Sequence, residues 1–312
     1  MILEIPIQIA DFIIHLTNSN RQQSTIKICA HDLSSFFNWI EKNKPDFSSD
    51  SWVNLKRNDY DEYFAYLKDK NSSDANLRRI ASHLNSMLHF YGLTNQIGPL
   101  KATEQKQRAL TAQDFATDKD IKILLKSVVS EKGLSDSQRD MYKYLAYRNL
   151  VILVLMINYG LTINEVRAIN MKDINFAQNT LDVGKGTKKR QIELSVEDKK
   201  IMYRYFTDIP LLLRPKDYTD DPFFIAFHPR KMVFWYDYNK LSPRRISDSG
   251  MKRIIENEVE RSGIKKGIRS THFRNSCILK KLKEGWPNDQ MIKYFGLSSR
   301  HALYRYKRYL KI

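Results

Sequence analysis

The sequence predicts a mainly α chain with a small β-sheet, divided into two domains. Three observations carry that expectation. A length of 312 residues suits two domains at about 100–200 residues each. Along most of the chain apolar residues recur at mixed three- and four-residue steps, the rhythm of helices that bury one face. One segment breaks the rhythm: Ile174, Leu181, Val183, Gly184-Lys185-Gly186, Ile192 and Leu194 alternate and turn in the manner of a β-hairpin or three-stranded sheet.

In chain order, residues 20–43 place Thr25, Ile28, Leu33, Phe36, Phe37 and Ile40 on a helical face, and Pro45 stops the helix. Helices are expected at about 57–70 and 74–92, the second with Leu77, Ile80, Ala81, Leu84, Met87 and Leu88 on one stripe and a stop at Gly92. These form an all-helical domain over 1–95. Gly98, Pro99 and a polar run with little periodicity mark a linker at 96–109. The second domain, 110–312, opens where Thr111 or Thr117 caps a helix through Ile121, Leu124 and Leu125. The helix at 142–158 is apolar nearly all round in its second half and is therefore central. A short helix follows Gly160, then the sheet, then helices at about 195–207, 248–262, 272–284, 287–295 and 300–310.

Charge is the first pointer to function. With 52 Lys and Arg against 35 Asp and Glu the net charge is +17, which favours polyanionic partners. The surplus is uneven: residues 1–95 carry 10 basic and 11 acidic side chains, whereas 96–312 carry 42 and 24. Cys29 and Cys277 stand far apart, without the spacing of a zinc site or disulfide framework, so no metal or other cofactor is expected and both read as thiols in a reducing cytoplasm. Glu4, Asp11 and the lack of a basic leader argue against a secretory signal. The longest apolar run, Leu150 to Ile157, is far short of the ~18 residues that span a bilayer.

Four segments in order then carry a resemblance. They are "STIKICAHDLSSFFNWIEKN" with "DYDEYFAYLKDK" and "NLRRIASHLNSMLHFYG"; "YRNLVILVLMINYGLTINEVRAINMKDI"; "LDVGKGTKKRQIEL"; and "STHFRNSCILKKLKEGWPNDQMIKYFGLSSRHALYRYKRY". Together they resemble the tyrosine recombinase or phage integrase family over nearly the whole chain. The resemblance implies a helical SAM-like core-binding domain followed by a tyrosine-recombinase catalytic-type domain, and double-stranded DNA as partner, with a homo-oligomer on that DNA. It also implies a chemistry. A tyrosine oxygen attacks a phosphodiester, two arginines neutralise the phosphate, and a lysine protonates the leaving oxygen.

Position by position, the resemblance assigns Tyr306 as the nucleophile, ahead of Tyr304 and Tyr309, Arg274 as the second arginine and Lys185 as the general acid. The first arginine is replaced: Gly160-Leu161 is followed by Thr162, which offers a hydroxyl but no charge and no bidentate fork. Arg167, five residues on, should point elsewhere. His272 stands one residue short of the family's His-x-x-Arg spacing, with Thr271 at the strict position; Asn275 follows Arg274 where histidine is common, and Leu297 replaces the late His or Trp. Candidate DNA contacts are Arg78, Arg79, Lys185, Lys188, Lys189, Arg190, Lys265, Lys266, Arg269 and Arg274. These readings favour a sequence-specific DNA-binding regulator with a degenerate active site, akin to the recombinase-fold repressors of SPβ-like Bacillus prophages. The alternative is an active site-specific recombinase working through a 3'-phosphotyrosine.

Overall fold

The computed structural model describes residues 7–19, 21, 23–44, 51–93, 97 and 108–312. The chain divides into two compact units, Met1–Lys106 and Gln107–Ile312. In the first unit α1 (Ile7–Asn18), α2 (Gln23–Asn43), α3 (Arg57–Asp69) and α4 (Asp74–Phe90) enclose one core. Helix α1 was not anticipated from the sequence. Its buried Ile9, Phe12 and Ile13 fit a helical spacing. Phe36 of α2 stacks on Tyr60 of α3 and meets Tyr63 edge-on, while Leu77, Ile80, Leu84 and Met87 supply the α4 stripe. Pro45 and most of the expected linker lie outside the described residues. Ile97, inside that expected linker, is packed in the N-terminal core.

One polar knot joins α2 to α4. Asp32 is buried, yet accepts from Arg79 Nε and Nη2 at 3.0 Å each and lies 2.8 Å from His83 Nδ1. Burial pushes the Asp32 carboxyl up, but the bonds to His83 and Arg79 outweigh it and hold it below the ordinary range.

The second unit opens with a single 3-10 turn, Ala112–Asp114, and α5 (Asp118–Val128), and each expected threonine caps one of them: Thr111 the turn, Thr117 the helix. Helix α6 (Asp136–Asn158) starts six residues before the expected 142, because Ser135 and Gln138 form a capping box ahead of its polar first half. From Arg148 to Ile157 every residue is buried. α7 (Ile163–Ala168) leads into a three-stranded antiparallel sheet, β1 (Ile174–Asn175), β2 (Thr180–Val183) and β3 (Arg190–Glu193), ordered β1-β2-β3 with Leu181 opposite Ile192 and Val183 opposite Arg190.

After α8 (Val196–Asp208) come two small antiparallel pairs that the sequence did not reveal, β4 (Phe227–His228) with β5 (Val233–Phe234) and β6 (Tyr236–Asp237) with β7 (Ser242–Pro243). The unit ends with α9 (Asp248–Ser262), α10 (Ser270–Lys283), α11 (Asn288–Phe295) and α12 (His301–Leu310). Glu258 of α9 bolts α6 in place: its carboxylate accepts from Tyr142 at 2.8 Å, Asn149 at 2.7 Å and Arg261 at 2.7 Å. The fold is mainly helical with small antiparallel sheets, and no described helix is long and apolar enough to cross a membrane.

Candidate functional site

The site grows from the turn between α6 and α7. Gly160 has φ +63°, and a Cβ there would lie 2.5 Å from a ring carbon of Phe295, so only glycine permits the approach of α11. Its carbonyl accepts from Arg274 Nη1 at 2.5 Å, and the Phe295 carbonyl accepts from Nη2 at 2.6 Å. Arg274 thus ties the ends of α6 and α11 to α10 while it borders an open cavity.

Thr162 caps α7. Its hydroxyl accepts from the Glu165 N–H at 3.2 Å and donates to Glu165 Oε2 at 2.8 Å, which is the reciprocal Thr-x-x-Glu arrangement. Glu165 is also the counter-ion of the region. Its Oε1 lies 2.6 Å from Arg190 Nη1, and its Oε2 lies 3.6 Å from Arg274 Nη1. Burial pushes this carboxyl up, but Arg190 and the Thr162 N–H overcome it and hold it below its usual value. Burial pulls the Arg274 guanidinium down, with Glu165 opposing.

Thr162 and Arg274 share a cavity of about 340 Å³, with Asn164, Asp248, Lys252 and Thr271 among its other walls. Asp248 is already paired with Arg167 at 2.5 Å, so Arg167 turns to that acid and not to Glu165. Arg274 and Lys252 are left as the cations facing the cavity. One guanidinium stands where the chemistry described above uses two.

Of the three C-terminal tyrosines, Tyr304 is exposed, Tyr309 rests on Phe115, and Tyr306 is buried. The Tyr306 hydroxyl donates to Asn275 Oδ1 at 2.7 Å, and Asn275 Nδ2 donates to the Asp114 carbonyl at 3.0 Å. Burial pushes its phenol pKa up, against the pull of Arg305 and Arg274. His272 is half-buried, and its Nδ1 accepts from the Arg269 N–H at 3.0 Å as part of the α10 cap. Thr271, not His272, faces the cavity. Leu297 packs against the cluster around Phe295 and adds no donor.

Lys185, Lys188 and Lys189 are exposed on the β2–β3 connection, and Lys265, Lys266 and Arg269 are exposed around the α9–α10 turn. Besides Arg274, two of the expected DNA contacts have other employment. Arg190 is a correction: its side chain is 3% exposed, because β3 points Arg190 and Ile192 inward and Gln191 and Glu193 outward. It donates to the Tyr294 carbonyl at 2.5 Å as well as to Glu165, and a Cβ on Gly296 would lie 2.9 Å from it. Arg79 is likewise a tie, bidentate to Asp32. Arg78 shares with Ser82, Asn85, Ser86 and His89 an open groove of about 520 Å³ along α4.

Glu165, Lys252 and Asn275 were not evident from the sequence as working residues. Glu165 had a signal, the Thr-x-x-Glu spacing of a capping box. Asn275 and Lys252 had none, since the partners of Asn275 and the other walls of the Lys252 cavity lie mostly on other elements.

Among described residues no group of three metal-ligating side chains comes together. The sequence profile described as the phage integrase family matches residues 131–311. The chain is 23% identical to the tyrosine recombinase XerD of Oceanobacillus iheyensis over 266 residues, 84% of this chain and 80% of that one. It is 23% identical over 235 residues to the tyrosine recombinase XerC of Pediococcus pentosaceus, 74% and 70% of the two chains. Among solved structures, the XerH site-specific recombinase bound to difH substrate superposes with a TM-score of 0.66 at 11% identity, covering 97% and 92% of the chains. The Tn1549 transposon integrase in complex with transposon right end DNA gives 0.65 at 13%, covering 96% and 93%. The chain therefore belongs to the phage integrase family and carries the tyrosine-recombinase fold.

Proposed function

We propose that this protein is a sequence-specific duplex-DNA-binding regulator, a repressor of a phage or mobile element, in which the recombinase site has been kept as scaffold and phosphate contact and no longer cuts efficiently. Double-stranded DNA as partner is supported by the surplus of 18 positive charges after residue 95, by the exposed lysines of the β2–β3 connection, and by the DNA complexes of the XerH and Tn1549 structures. The observation that carries the loss of cutting is the cavity wall at Thr162. Opposite Arg274 stands a hydroxyl spent on a helix cap, and losing an arginine that stabilises phosphoryl-transfer charge typically costs on the order of 10³–10⁵ in rate.

Tyr306 points the same way. Its hydroxyl donates to an amide oxygen on the α10 side and burial raises its pKa, the reverse of an activated nucleophile. An active recombinase remains the second reading, favoured by the joint presence of Tyr306, Arg274 and Lys185. Incubation with nicked suicide duplexes separates the two. A regulator yields no covalent protein–DNA species, and Tyr306→Phe leaves its binding and its effect in cells intact. A covalent species from the wild-type chain that Tyr306→Phe abolishes would overturn the proposal.

A further inference from the structure

The segment 226–245 of the second unit carries a surface that the site above does not use. Phe227 and Phe234 face each other across β4 and β5, edge to face at 5.2 Å, and Phe234 is buried. Strand alternation then turns the neighbours outward. Trp235 is 42% exposed, with the Arg244 guanidinium 4.0 Å above its ring and His228 at 5.5 Å. At the β6–β7 tip Tyr238 is 78% and Leu241 69% exposed.

Backbone hydrogen bonds tie the platform together. Ala226 donates to the Arg244 carbonyl at 2.7 Å, Trp235 to the Ala226 carbonyl at 2.8 Å, and Arg244 to the Trp235 carbonyl at 2.8 Å. Water-exposed aromatic and aliphatic groups gathered on a hydrogen-bonded frame mark a binding face.

Charge names the occupant. Arg230 and Lys231 on the β4–β5 turn, Lys240 on the β6–β7 turn and Arg244 over Trp235 are exposed, and none of them is ion-paired to a carboxylate among the described residues. The one acid here, Asp237, spends Oδ1 on the N–H groups of Asn239 and Lys240. A second copy offering this same basic face would be repelled. A phosphate backbone would be attracted, and aromatic faces beside cations suit sugars and base edges.

We infer that the paired hairpins 226–245 form an additional duplex-DNA contact, with Arg230, Lys231, Lys240 and Arg244 on phosphates and Trp235 and Tyr238 against the sugar or groove edge. This rests on the DNA-binding reading above and deepens it. The test is a salt titration of binding to a labelled mixed-sequence duplex, for the full chain with Arg230→Glu/Lys240→Glu, with Tyr238→Ala, and with Lys188→Glu/Lys189→Glu as the reference change. Melting temperature and sedimentation are read alongside.

The expected result is that the hairpin charge reversal lowers the slope of log K against log salt by about one for each phosphate no longer neutralised. Tyr238→Ala weakens binding at every salt concentration without changing the slope, and all variants stay folded. Unchanged affinity in both hairpin variants, with binding still weakened in the Lys188/Lys189 variant, would overturn the hairpin contact and leave the DNA reading standing. Unchanged DNA binding with altered sedimentation would overturn it in favour of self-association. No binding of any duplex by the wild-type chain would remove both readings.

Discussion

At the residue scale the clearest lesson is that Glu165, not the tyrosine, organises the site. It is the one carboxylate that Arg190 and Arg274 share, and breaking a buried ion pair strands the remaining charge at a cost of about 3–5 kcal/mol. Glu165→Ala should therefore destabilise the chain by about 3 kcal/mol in denaturant titration, a larger loss than Tyr306→Phe, which removes one hydrogen bond worth about 1 kcal/mol. The pH dependence follows from direction. Because the folded carboxyl sits below its ordinary 4.5, its stabilising effect is complete above that value and drains away as pH falls through the folded pKa. Stability measured from about pH 5 down to about pH 3 should fall more steeply in wild type than in Glu165→Gln. Parallel acid limbs would show that the carboxylate contributes nothing.

At the element scale α4 and the β2–β3 connection make opposite predictions. Asp32→Asn should loosen the α2–α4 tie by about 2 kcal/mol, since Arg79 and His83 both lose a buried acceptor charge. Thermal unfolding of the full chain should show the change in the transition of the first unit. Charge reversal at Lys188 and Lys189, both exposed, should leave stability alone and reduce the salt slope of DNA binding, whereas Arg190→Ala should unfold the site. The sequence could not separate these three neighbours. Their chemistry is alike, and what divides Arg190 from Lys189 is the pleat of a strand and an acid 25 residues away. Long helices were legible because each states its own period: α2, α3, α4 and α8 to α12 stand where the apolar spacing puts them. The short strands β4 to β7 were not. A two-residue strand is too brief for alternation to register, and only backbone bonds such as those of Trp235 and Arg244 define it. The amide partner of Tyr306 was equally hidden, because Asn275 and Tyr306 meet only once α12 has folded back on α10.

On the scale of the whole molecule the two units have separate cores, one of them built from α1 to α4 and the others lying wholly after residue 107. All of the positive surplus belongs to the second. A fragment beginning near residue 108 should thus keep most of the non-specific DNA affinity and most of its salt dependence, while the isolated first unit binds weakly. Equal slopes for the two fragments would contradict that division. Arg274 is bonded at once to the Gly160 and Phe295 carbonyls, so it serves the architecture as well as the cavity. Arg274→Ala should part the ends of α6 and α11 from α10 and lower stability in denaturant titration, whether or not the site cuts DNA. An arginine that braces three helices in this way is no witness to catalysis by its presence alone.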